Sequence, residues 1–358
     1  MTGRAAVNFG YRAITLRNPA VSGRIGLRSA LTTLALFGTA VLLALGAVFF
    51  GDYPLTVADV ANALLGRRGG FAAKVVVEWR LPIVIAAVFF GAMLGIGGAI
   101  FQSLTRNPLG SPDVIGFDSG SYTAVVVMML VFRAQSHWTI AVASMLGGLL
   151  TALAVYLLAY RRGLQGFRLI IVGIAVASIL GSVNTYLITR ADIRDALQVG
   201  FWGAGSLSRV SWSSLMPSLA VAAAIVAGCG LLAAGLRTLE LGDDAAATQG
   251  VAVGRTRLAL LVVGVATTAL VTAAAGPIGF IALVAPQLAR RIARTPGVSL
   301  LTAAAMGAML LSAAHLLAQY ISSVYRSIPV GLLTVCVGGI YLIWLLIREA
   351  RIQAGVPR

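Results

Sequence analysis

Residues Leu239–Arg257 read LELGDDAAATQGVAVGRTR, and the rest of the chain is organised around them. On either side lie the charge-free runs Val210–Leu236 and Leu258–Ala289. Each is long enough to cross a bilayer, because a helix rises about 1.5 Å per residue and roughly 20 apolar residues span the hydrocarbon. The island between them holds three of the chain's 11 acids, Glu240, Asp243 and Asp244, and is broken by Gly242, Gly250 and Gly254. Asp243 and Asp244 are expected to cap a short helix over Ala245–Gln249, since carboxylate oxygens accept orphan backbone N–H groups. Gly250 suits a left-handed residue just past the end of that helix. A short helix, a glycine turn and the start of another span make a surface suited to being held by something soluble.

Composition gives the class. Of 358 residues, 59% are hydrophobic and 11% charged, against about a quarter charged in an ordinary soluble domain. The chain therefore reads as an all-α, polytopic membrane protein with no separate soluble domain. Its net charge of +16 would point to nucleic acid in a soluble protein. Here the arginines sit in short loops, which is a topology signal, and no nucleic-acid partner is expected. Cys229 and Cys336 lie far apart in apolar runs and read as small hydrophobes. The arginine-rich segment 1–28 lacks a cleavage site after a short apolar core and is expected to stay as a tail.

Nine charge-free runs follow one another: Ser29–Gly51, Leu81–Thr105, Ser119–Phe132, Ala134–Tyr160, Leu169–Thr189, Val210–Leu236, Leu258–Ala289, Thr295–Tyr325 and Ser327–Ile347. Gly276-Pro277 should break Leu258–Ala289 in two, because proline removes a backbone donor and disfavours helix before it. The expected total is ten spans over a membrane domain 29–347, with tails 1–28 and 348–358 on one side. If that side is the cytoplasm, cytoplasmic segments hold 18 of the 27 basic residues and outer segments nine, the bias of a protein with both termini inside a cell membrane. The island 239–254 then faces the cytoplasm. Ser119–Phe132 is short enough to be a half-span sheltered by neighbours, and Gly91-xxx-Gly95 and Gly116-xxx-Gly120 allow close helix approach. The outer segment 190–209 is expected to hold a short amphipathic helix at the membrane surface, with Phe201 and Trp202 at interfacial depth.

Catalytic chemistry finds little footing. No acid appears inside the charge-free runs; of the two histidines, His315 is expected inside a span and His137 in an outer turn. There is no HExxH, GxSxG or GxxxxGK[ST] pattern. A proton-coupled carrier would normally show a buried Asp, Glu or His relay, so the energy is expected to come from another subunit. Ser178, Ser182, Asn184, Thr185 and Tyr186 share one run, and helical spacing puts Ser178, Ser182 and Thr185 on one face. They could line a translocation path, or they could bond between helices; the spacing allows both.

Five blocks carry a family resemblance: EWRLP at Glu78–Pro82, GAMLGIGGAIFQSLTRNPLGSPDVIGFDSG at Gly91–Gly120, the island LELGDDAAATQGVAVGRTRL, AGPIGFIALVAPQLARRI at Ala275–Ile292, and IPVGLLTVCVGGIYLIWLLI at Ile328–Ile347. In this order they resemble the FecCD-type iron–siderophore ABC permeases, the family that includes the cobalamin permease, and most of all its catecholate branch. The resemblance implies a type II importer permease of ten spans. It implies a second related permease subunit, either different or a second copy, two ATPase subunits that carry the ATP and Mg, and an extracytoplasmic siderophore-binding protein. No cofactor is expected on this chain, and no catalytic or metal residue. The island becomes the ATPase-coupling element, with Leu239, Glu240, Gly242, Asp243, Asp244, Gln249, Gly250 and Val251 as its residues. Arg80, the first arginine of the family's RLPR motif, and Arg326 become docking residues for the binding protein. Ser178, Ser182, Asn184, Thr185, Tyr186, Phe201 and Trp202 become path or gate residues. Ile83 stands where the motif has its second arginine. Gln287 replaces a common histidine, and His315 and Gln319 replace an Asp and an Arg, leaving a His315–Gln319 hydrogen bond as the expected substitute. A cobalamin or haem permease is the nearest alternative, and an intramembrane enzyme a more distant one.

Overall fold

The computed structural model describes residues 13–17, 22–51, 53–67, 70–134, 136–160, 166–295 and 297–353. Parts of both tails, and Arg4, Arg12, Arg68, Arg161, Arg162 and Arg358 from the charge count, lie outside them. The chain opens on a feature that the charge pattern did not reveal. Strands β1 (Ala13–Arg17) and β2 (Ser22–Gly26) pair antiparallel with Ile14 opposite Ile25, so the tail is not wholly irregular.

Fourteen helices follow: α1 (Leu27–Ala47), α2 (Val57–Leu64), α3 (Phe71–Lys74), α4 (Leu81–Thr105), α5 (Phe117–Leu130), α6 (His137–Ala159), α7 (Gly166–Arg190), α8 (Ile193–Gly203), α9 (Trp212–Glu240), α10 (Asp243–Thr248), α11 (Val253–Ala275), α12 (Ile281–Ala293), α13 (Leu300–Val324) and α14 (Val330–Gln353). A π-helical turn, Val75–Arg80, joins α3 to α4. Eight of these helical stretches are long and apolar enough to cross a membrane. Two more, α5 and α12, have 14 and 13 residues, or about 21 Å and 20 Å of rise. Both are too short to cross alone.

The middle of the molecule is α4, flanked by α13, α11 and α12. Phe90, Leu94, Ile100 and Phe101 of α4 are fully buried, as are Val265 and Val271 of α11. The expected close approaches are made. A side chain at Gly91 would strike the Gly307 carbonyl of α13, and one at Gly95 the Ala303 carbonyl. Gly116 and Gly120 likewise seat α5 against Ala177 of α7 and Thr151 of α6. Without a strong hydrophobic drive inside lipid, such backbone contact is what holds helices together.

The break at Gly276-Pro277 is also made. α11 ends at Ala275, Gly276 takes φ +76°, and α12 starts at Ile281. Around this core, α7, α9, α14 and α1 leave most of their apolar surface exposed, including Leu34, Phe167, Leu231 and Ile340. Lipid or other subunits must meet those faces, because no soluble monomer exposes that much apolar area.

Candidate functional site

The island folds as a short helix and a glycine turn, with one correction to how it is capped. α10 starts at Asp243, its N-cap is Gly242 at φ +117°, and no side chain caps it. Asp243 and Asp244 lie in the first helical turn, where the dipole still favours them. Asp243 does not bond to α10's orphan N–H groups because two arginines claim it. Arg106, at the end of α4, donates to Asp243 Oδ1 at 2.6 Å, and Arg257, early in α11, donates to the same oxygen at 2.7 Å. Arg106 also donates to the Leu239 carbonyl at 3.2 Å. Gly250 takes φ +81°, as its place after the helix predicts.

Glu240 is a second root. Its Oε1 accepts from Ser103 Oγ of α4 at 3.3 Å and from the Val298 backbone N–H ahead of α13 at 3.2 Å. The island therefore has an inner and an outer side. Leu239 and Ala246 are buried, and Glu240 and Asp243 are tied to α4, α11 and the α12–α13 loop. Leu241, Asp244, Gln249 and Gly250 are exposed. Leu241, 69% exposed, was missed by reading charge and glycine; its signal is a large apolar residue amid the island's acids. Gly242 and Val251 are half-buried between the two sides.

On α7, Ser178, Ser182 and Thr185 share an exposed face. Their hydroxyls donate to the carbonyls one turn back, at 2.8, 3.0 and 2.9 Å. Among the described residues they bond to no other helix, which leaves the interhelical reading unsupported within this chain. Tyr186 is exposed beneath the Arg190 guanidinium, 5.6 Å from its ring. Asn184 is buried, and its Oδ1 has no partner among the described residues.

The helix expected over 190–209 is α8. Ile193, Leu197 and Phe201 form an exposed stripe along it. Trp202 departs from the expectation. It is buried and stacks on Tyr122 of α5, with centroids 5.9 Å apart and planes 4° from parallel. Burial in an aromatic stack removes more of its surface from water than an interfacial position would.

Arg80 donates to the Val48 and Tyr53 carbonyls at 2.7 and 2.6 Å, closing the chain end of α1 onto α4. Arg326 lies exposed in the loop between α13 and α14. The expected His315–Gln319 hydrogen bond is not formed. His315 is buried in the packed face of α13, whereas Gln319 is half-buried. Gln287 has a clear role: it donates to the Pro108 carbonyl at 2.8 Å and accepts from Tyr341 Oη at 3.2 Å, linking the α4–α5 loop to α14.

One acid, Asp118, departs from the expectation that the spans hold no acid, and Asp113 in the preceding loop has a partner the sequence did not show. Asp118 lies inside α5, buried, and accepts from Thr272 Oγ of α11 at 3.2 Å. Asp113 Oδ2 accepts from the Phe280 N–H at 2.8 Å, at the left-handed residue that opens α12. The N-termini of both short helices thus meet carboxylates. Their positive dipole ends offset the burial of negative charge; Asp118 ties α5 to α11, and Asp113 ties the loop before α5 to the start of α12.

The arrangement is that of a polytopic helical membrane domain, with two short helices inside and a rooted island at one end. The chain belongs to the FecCD transport family, whose pattern matches residues 38–348. It is 47% identical over 324 residues to the ferric enterobactin transport system permease protein FepG of Escherichia coli K12, covering 90% of this chain and 98% of that one. It is 32% identical over 298 residues to the probable siderophore transport system permease protein YfhA of Bacillus subtilis 168, covering 81% and 86%. A metal-chelate-type ABC transporter solved in an inward-facing conformation superposes with a TM-score of 0.75 at 23% identity, over 89% of this chain and 99% of that one. The fold is therefore that of a type II importer permease. The chain is a transport component, a multi-pass membrane subunit without a catalytic role of its own.

Proposed function

We propose that this chain is a permease subunit of an ATP-driven importer that moves a ferric catecholate siderophore of the enterobactin type across the cytoplasmic membrane. The observation that carries this is the 47% identity to a ferric enterobactin permease over 98% of that relative. Other relatives are described as permeases for achromobactin and ferric citrate, which favours an iron chelate over cobalamin or haem. In this reading the eight long spans and the two short helices make ten passes, with both termini and α10 in the cytoplasm. The basic bias, 18 of 27 residues, supports that orientation.

The exposed side of the island, Leu241, Asp244 and Gln249, fits the cleft of an ATPase subunit that binds ATP and Mg. A different, related permease subunit covers the hydroxyl face of α7, with a second copy of this chain as the alternative. Ser178, Ser182 and Thr185 then line the path between subunits, and alternating access needs no chemical change in the cargo. At the opposite end, Arg326 meets an acidic knob of the extracytoplasmic binding protein, where such a charge steers encounter more than it adds affinity.

The test is uptake of radiolabelled ferric enterobactin in cells deleted for this chain. Loss of uptake, restored by the chain and not competed by excess cobalamin or haem, is the expected result. Unchanged uptake in the deletion would overturn the substrate assignment.

A further inference from the structure

Between α12 and α14, floored by α13, runs a slot of about 260 Å³. Its walls are apolar: Val284 and Leu288 from α12, Leu310 and Leu317 from α13, Val337 from α14. It opens outward, since Val337 is 57% and Leu317 44% exposed. The two walls continue in register toward the end of the molecule that carries the island. On α12 the face Val284, Leu288 runs on to Arg291. On α14 the face Val337, Tyr341, Trp344 runs on to Arg348. These are steps of three and four residues, which keep one side of a helix.

At that end the two guanidiniums converge on one indole. Arg291 lies 5.3 Å and Arg348 5.6 Å from the Trp344 ring centroid. Among the described residues neither has an acidic partner. The indole face attracts each cation, but two like charges gathered on one ring repel and leave a concentrated positive potential. An apolar slot that ends in two arginines without an acidic partner among the described residues matches one ligand chemistry: a hydrocarbon chain carrying an anionic head.

We propose that this slot holds an acyl chain of an anionic glycerophospholipid, with its phosphate between Arg291 and Arg348 over Trp344. Basic pockets between helices at the cytoplasmic surface are a recurrent way to bind such lipids. The site is separate from the hydroxyl face of α7, and it does not depend on which siderophore is carried.

The experiment uses the assembled transporter in nanodiscs of phosphatidylcholine with a minor fraction of phosphatidylglycerol. Lipid retained after transfer to detergent is counted by native mass spectrometry. The wild type should retain phosphatidylglycerol well above its bulk fraction. The double variant Arg291→Gln/Arg348→Gln should lower that retention by roughly thirtyfold, from the usual worth of two basic residues at an anionic surface. Val337→Trp, which fills the slot and leaves the charges, should lower it as well. Arg255→Gln, an exposed arginine on α11, should not. Retention at the bulk fraction in the wild type overturns the proposal. So does retention unchanged by the double variant, or retention lost in the double variant but kept in Val337→Trp, which would make the arginines a general anion or ATPase contact. Because enrichment is read without transport, a wrong substrate assignment leaves this result intact.

Discussion

Asp243 and Asp244 are adjacent and alike in sequence, yet the fold places them in different surroundings. Asp243 is shared by Arg106 and Arg257, whose side chains are 48% and 12% exposed, and so ties α10 to α4 and α11. Asp244 points away from the bundle. Asp243→Asn should loosen the island at a cost of about 1 kcal/mol, the scale of a partly exposed ion pair. It should lower siderophore uptake per ATP hydrolysed, while the ATPase subunit still copurifies. Asp244→Lys should instead weaken copurification of the ATPase, with the pair at Asp243 intact. Equal effects of both changes on copurification would refute the division of roles. Trp202 makes a second residue-scale case. Trp202→Ala removes the stack on Tyr122 and should destabilise the purified complex by about 3 kcal/mol, read as a lower thermal aggregation temperature. A change below about 1 kcal/mol would mean that the stack adds little. Neither role was legible in the sequence. A doublet of acids looks like a cap, and a tryptophan near a loop looks interfacial. What decides both is a partner, Arg106 or Tyr122, distant in the chain.

At the scale of elements, charge and glycine carried most of what was readable. The split at Gly276-Pro277, the short α5, the helix α8 and the turn at Gly250 all follow from local backbone chemistry, and all are present. Asp113 and Asp118 show where that method stops. A rule that ends every span at a charge cuts α5 at Ser119 and cannot see that buried Asp118 is answered by Thr272, or that half-buried Asp113 is answered by the opening N–H of α12. The hairpin of β1 and β2 escaped for a related reason, since five-residue strands leave no mark in a search for charge-free runs. The glycine seam is the most demanding contact. Gly91→Leu must force α4 away from the Gly307 carbonyl and should abolish a folded, monodisperse complex in size-exclusion chromatography. Gly38→Ala, which meets nothing within 4 Å, should be silent. A monodisperse Gly91→Leu protein would show the seam to be slack. The exposed face of α7 has its own check. With Cys229 and Cys336 replaced by serine, Ser182→Cys modified by a thiol reagent should reduce uptake severalfold. Leu231→Cys on α9, 86% exposed, should not. Full uptake after modification at Ser182 would remove α7 from the path.

For the whole molecule, we propose a bundle worked from the island end by a separate ATPase subunit. The island is rooted by Asp243 and Glu240 into α4, α11 and the start of α13, so a push on its exposed side reaches the packed centre rather than a loose loop. Those helices carry the glycine seam, and α11 reaches α5 through Thr272 and Asp118. The most direct measurement is a disulfide trap in the assembled transporter, again lacking Cys229 and Cys336. It pairs Gln249→Cys with a cysteine in the cleft of the ATPase subunit. The account predicts a cross-link that forms in membranes, stops uptake of ferric siderophore, and releases it again on reduction. No cross-link at any cleft position, together with labelling of Gln249→Cys by a membrane-impermeant reagent added outside intact cells, would contradict it.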